Sequence, residues 1–103
     1  MEFILVHKPS GIIPPEVMAG TLEQVGKLLT RPGDFVPGGK LLASYGARNK
    51  SFVVCVWDAP STEALCPFTE QLVMAGWETD IMPADNMKVH VEKLTKALQA
   101  MRK

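Results

Sequence analysis

The sequence predicts a single α+β domain. In chain order it runs strand, helix, strand, strand, helix, strand, with a further helix appended. Three observations carry this. Short runs of β-branched and bulky residues recur four times, each closed by turn-forming residues. Stretches with apolar residues spaced as on one helical face stand between and after them. The length, 103 residues, suits one domain with a modest core that burial against a partner would extend.

Residues 3–7, Phe-Ile-Leu-Val-His, read as a buried first strand closed by Lys8-Pro9-Ser10-Gly11. Pro14-Pro15-Glu16 supplies a helix start, with proline in the first turn and an acid at the positive dipole end. Met18, Leu22, Val25 and Leu29 then predict one apolar stripe on a helix ending near Thr30. Arg31–Gly39, rich in proline and glycine, is a connection. Lys40–Arg48 and Ser51–Trp57 read as strands joined at Asn49-Lys50.

Asp58-Ala59-Pro60-Ser61 breaks that strand and offers Ser61 as a helix N-cap. Leu65, Phe68 and Leu72 form the next stripe, and Gly76 ends it. Trp77–Met82 is the fourth strand, stopped by Pro83, and Asp85 is the expected cap of a last helix. Met87, Val91, Leu94, Leu98 and Met101 make that helix the most regular in the chain. The order is the split βαβ, ferredoxin-like one, with a core over about 1–84 and an added helix over about 85–102. Helices cover one face of such a sheet, and a second copy of the chain is the simplest cover for the other.

Eleven basic residues balance eleven acidic ones, so no charge excess draws the chain to nucleic acid or to an anionic membrane. No apolar run approaches the ~20 residues that span a bilayer. The opening residues lack the basic start and long apolar run of an export signal. Two cysteines without framework spacing suit a reducing compartment, so a cytoplasmic location is expected. His7, His90 and the two cysteines show no metal-ligand spacing, no glycine-rich loop follows a strand, and neither metal nor cofactor is expected.

The segment Val54-Cys-Val-Trp-Asp-Ala-Pro-Ser-Thr-Glu-Ala-Leu65, followed by Trp77-Glu-Thr-Asp-Ile-Met-Pro83, resembles the dimeric α+β-barrel superfamily. Within that group the chain looks most like the short domains with no assigned activity. The shared features are a strand ending in an acid-x-Pro turn, a helix with an alanine-leucine pair, and a last strand closing on proline. The resemblance implies a homodimer, and a small apolar or aromatic molecule bound between sheet and helices or inside the barrel. It also implies an activity of the monooxygenase or isomerase kind as one possibility. No catalytic motif of the superfamily carries over residue by residue.

Alternation divides Ser51–Trp57 into Phe52, Val54 and Val56 on one face and Ser51, Val53, Cys55 and Trp57 on the other. The purely apolar set is expected under the helices, leaving the mixed set to line the barrel. A two-residue loop at Asn49-Lys50 pairs Ser44 with Cys55 and Leu42 with Trp57. It places Ser44 and Arg48 beside Cys55, and Tyr45 on the other face. A three-residue loop reverses this.

Candidate ligand-binding residues are therefore His7, Ser44, Tyr45, Arg48, Cys55 and Trp57, with His7 also a candidate acid or base because imidazole titrates near neutrality. Against this stands ordinary packing. A cysteine among valines is an inert core residue, and His7 could simply be a satisfied strand-end histidine. Trp57 and Trp77 could be pocket walls with hydrogen-bonding indoles, or core. A small-molecule-binding domain and a non-catalytic dimerisation or interaction protein both fit these residues.

Overall fold

The computed structural model describes residues 1–102. The elements are β1 (Glu2–Pro9), α1 (Pro15–Thr30), β2 (Lys40–Gly46), β3 (Val53–Asp58), α2 (Thr62–Met74), β4 (Trp77–Ala84) and α3 (Met87–Met101). A 3₁₀ turn at Pro32–Asp34 follows α1. The strands form one sheet in the order β2-β3-β1-β4, with β1 antiparallel to both β3 and β4 and β2 antiparallel to β3. This is the ferredoxin-like arrangement that the element order predicts.

Side-chain size decides which face meets the helices. Phe3, Leu5 and His7 of β1 and Cys55 and Trp57 of β3 are buried, and they pack with Leu28 of α1 and with Leu65 and Phe68 of α2. The alternate residues, Ile4, Val6, Val54 and Val56, are smaller or β-branched and only half-buried. The expectation drawn from polarity is thus reversed. Val54 and Val56 form the open face, and the mixed set lies beneath the helices. Both sets are apolar enough to be covered, but only the larger one fills the gap of about 10 Å between a sheet and what packs on it.

The hairpin keeps the register of a two-residue loop, with Ser44 opposite Cys55 and Tyr45 opposite Val54. Its regular strands end earlier than expected, and the connection turns through Lys50, whose φ of 63° lies in the left-handed region. Asn49 Oδ1 accepts from the Ser51 backbone N–H at 3.1 Å and from its hydroxyl at 2.6 Å, holding the tip. The ladder breaks once. Trp57 faces Leu41 rather than Leu42, because Leu42 bulges out between Leu41 and Ala43.

Ser61 caps α2, its hydroxyl accepting from the Ala64 N–H at 3.3 Å. After α2 the chain reverses at Gly76, whose φ of +89° strongly favours glycine. Its carbonyl accepts from both the backbone N–H and the hydroxyl of Ser10, each at 2.9 Å, tying the end of β1 to the start of β4. The stripe expected on α1 is rotated. Leu28 is its buried residue, while Leu22 and Leu29 face solvent. The face of the helix carrying Thr21, Val25 and Leu28 is the one that lies toward α2 and the sheet.

Asp85, expected to cap α3, instead pairs with Lys93 at 2.7 Å, and Asn86 is the cap, accepting from the Val89 N–H at 3.0 Å. No residue of α3 is buried, and Met87, Val91, Leu94, Leu98 and Met101 all stand exposed. With about 22 Å of helix added beyond the sheet, the molecule extends 60 Å in its longest direction.

Candidate functional site

A cleft opens between α1 and α2 and runs down to the sheet. Its outer lobe, about 350 Å³, is walled chiefly by Val17, Leu28, Phe35, Phe68 and Leu72, with Gln24 and Gln71 also on its walls. Its inner lobe, about 70 Å³, lies against all four strands, where His7, Ser44, Cys55 and Trp77 contribute. Thr21, Val25, Leu28, Phe68 and Leu72 border both lobes, so the two form one space narrowing toward the strands.

Each polar side chain of the inner lobe is positioned by sheet register. His7 and Thr79 are direct partners across β1 and β4, so their side chains share a face, and His7 Nδ1 lies 2.7 Å from Thr79 Oγ1. Ser44 and Cys55 are partners across β2 and β3, with Oγ and Sγ 3.5 Å apart. The Phe68 ring packs edge-on with His7 at 5.8 Å between centroids and tilts onto Trp57 at 5.6 Å. One α2 side chain therefore fixes both the histidine and the neighbouring core indole.

Burial sets the protonation of both titratable groups here. His7, 4% exposed, has its pKa lowered to about 4, because an imidazolium held away from water loses its hydration. The imidazole is thus neutral at pH 7. Burial pushes the Cys55 thiol up, partly offset by its hydrogen bond with Ser44, so Cys55 is not a ready nucleophile. Two polar atoms at this inner end, His7 Nε2 and Trp77 Nε1, are buried without a hydrogen-bond partner, as is Trp57 Nε1 in the adjoining core. Such groups cost about 1–3 kcal/mol each relative to satisfied ones.

Of the residues singled out in the sequence, the structure brings together His7, Ser44 and Cys55, with Trp77 beside them. Trp57 shares their sheet face but is fully buried in the core. Tyr45 lies on the opposite face, 75% exposed, and Arg48 is exposed in the turn after β2. The two-residue register separates Tyr45 from Ser44 and Cys55, as that alternative predicts, and Arg48 leaves the group because the strand ends at Gly46. Thr79 and Phe68 are participants that the sequence reading missed. The parity of β4, with Thr79 two residues after Trp77 and charged Glu78 and Asp80 alternating with it, is the signal that could have found Thr79.

Solved structures match most of the chain at low identity. Rv0793 from Mycobacterium tuberculosis is 12% identical with a TM-score of 0.52, over 84% of this chain and 99% of that one. SCO4226 from Streptomyces coelicolor A3(2) is 19% identical with a TM-score of 0.50, over 82% and 95%. A protein described as an antibiotic biosynthesis monooxygenase is 16% identical with a TM-score of 0.50, over 82% and 99%. No protein-family model and no curated protein matches the chain. At these identities the likeness is one of fold, and the fold shared is the ferredoxin-like arrangement.

Proposed function

We propose that this chain works as a homodimer whose subunits each take a small apolar or aromatic molecule into the cleft between α1, α2 and the sheet. The observation that carries the reading is the character of that cleft. It is apolar over most of its wall, and His7 and Trp77, whose Nε2 and Nε1 are buried without partners, line its inner end. An apolar pocket with few convergent polar groups is the usual form of a small-molecule site. Neutral His7 serves there as a hydrogen-bonding group that orients the ligand, since a base with so low a pKa holds a proton poorly at pH 7. The monooxygenase-type neighbour supports an enzymatic outcome for this binding, of the oxygenation or isomerisation kind.

The other side of the sheet supports the dimer. Ile4, Val6, Val54 and Val56 form an apolar centre there, half-buried, with Tyr45 and Met82 exposed beside it. Two such faces laid together would close a barrel and remove both from water. The test is a thermal-shift screen of the dimer, established first by light scattering, against small aromatic and apolar metabolites. Stabilisation that is lost in His7→Ala supports the reading. A chain that stays monomeric at micromolar concentration, or no response to any compound, overturns it.

A second reading, an interaction protein whose dimer is its whole function, is favoured by one feature, the exposed stripe on α3. If that stripe is the working surface, Leu94→Asp with Leu98→Asp changes the sedimentation of the protein, while ligand screening finds nothing.

A further inference from the structure

We infer that the molecule taken into the cleft is uncharged and enters with a hydroxyl oxygen leading, set between His7 and Trp77. This rests on the proposed binding site and concerns the chemistry of its occupant. Three observations on the walls point the same way.

The first is charge. Neither lobe has a Lys, Arg, Asp or Glu among its described lining residues. A carboxylate or an ammonium driven to the inner end would leave water without meeting an opposite charge, and isolated buried charge is among the costliest arrangements in a protein. Burial keeps His7 neutral, so it supplies no cation for an anionic ligand. Neighbouring Cys55 stays a neutral thiol for the same reason.

The second is the pair of unsatisfied atoms. Trp77 Nε1 can only donate. His7 Nε2 takes the role that its hydrogen bond to Thr79 leaves over. If the Thr79 hydroxyl donates to Nδ1, Nε2 carries the proton and donates. If Nδ1 donates to Thr79 Oγ1, Nε2 accepts. A carbonyl oxygen satisfies Trp77 and one of these tautomers. A hydroxyl accepts from the indole and can also accept from or donate to the imidazole, so it satisfies both.

The third is the gradient of space. The inner lobe has room for a polar head group, and the outer lobe, five times larger by volume (350 against 70 Å³), has apolar walls for a ring system. The outer amides of Gln24 and Gln71 allow a second polar substituent at the far end.

Calorimetric titration of the full chain with naphthalene, 2-naphthol and 2-naphthoate at pH 7 tests the inference. These probes share a ring system and differ in the head group. The expected order has 2-naphthol tightest, by about tenfold or more over each of the others, the worth of one net hydrogen bond. Trp77→Phe should weaken 2-naphthol severalfold while leaving naphthalene unchanged, because the hydrogen bond to His7 remains. Binding of 2-naphthoate as tight as 2-naphthol overturns the inference and leaves the binding site standing, as does equal binding of naphthalene. No binding of any probe removes the site itself, and the inference with it. Should Trp77→Phe fail to fold, the imidazole nitrogen resonances of the wild-type protein give an independent reading. Nε2 of His7 must shift on adding 2-naphthol, and an unmoved Nε2 signal in a saturated complex overturns the placement.

Discussion

Lowering the pH from 7 to 4 should destabilise this protein through His7. The imidazole is 4% exposed, bonded through Nδ1 to Thr79, and left without a partner at Nε2. Its pKa falls from the ordinary 6.5 to about 4 in the folded chain. The unfolded chain therefore binds the proton first as pH drops. The stability contributed by keeping His7 neutral is complete above about pH 6.5 and is lost progressively toward pH 4. A gap of roughly two and a half pH units, at about 1.4 kcal/mol each, sets a limit of about 3.5 kcal/mol, of which about 3 kcal/mol is lost by pH 4. That is a large share of the 5–15 kcal/mol typical of a domain.

The assay is urea unfolding at half-unit pH steps, followed by tryptophan fluorescence, for the wild type and His7→Asn. The asparagine amide can still reach Thr79 but does not titrate. The wild type should lose about 3 kcal/mol more than the variant over this interval. Parallel curves for the two proteins would refute the argument that His7 is buried neutral.

Other expectations concern the same layer. Trp57→Ala, at a fully buried side chain beneath Phe68, should cost about 3–5 kcal/mol in denaturant unfolding. The two thiols should separate under an aromatic disulfide reagent at pH 8. Exposed Cys66 reacts promptly, and Cys55, buried with its pKa raised, reacts only on unfolding, so equal rates would contradict the burial. Ser61→Ala, removing the hydroxyl that caps α2, should cost about 1 kcal/mol by the same unfolding assay.

The order of elements was legible because it rests on local chemistry. Pro14-Pro15 starts α1, Ser61 caps α2 and Gly76 ends the turn after it, each where its residue type favours that conformation. The facing of the sheet was not legible from polarity. Val54 and Val56 are more uniformly apolar than Cys55 and Trp57, yet the latter point inward. Volume was the better guide, since Phe3, Leu5 and Trp57 are large and Ile4, Val6 and Val56 are β-branched. The site was half visible for the same reason. His7, Ser44 and Cys55 were found by strand parity, whereas Phe68 reaches them from a helix, a relation that spacing along one strand cannot express.

The spare residue at Leu42 has a consequence for how this edge of the sheet can change. Partner numbers across β2 and β3 add to 98 before the bulge (Leu41 with Trp57) and to 99 after it (Ser44 with Cys55). Strict alternation by number would put Leu41 and Ser44 on opposite faces. The single extra residue brings both beneath the helices, one beside the buried indole and one beside the thiol. A chain lacking Leu42 would merge the two sums into one unbroken ladder and keep every other partner of β2. Because β2 is an edge strand, its irregularity disturbs only one neighbour. The edge thus holds one residue of slack, and its length can vary where its pairing cannot.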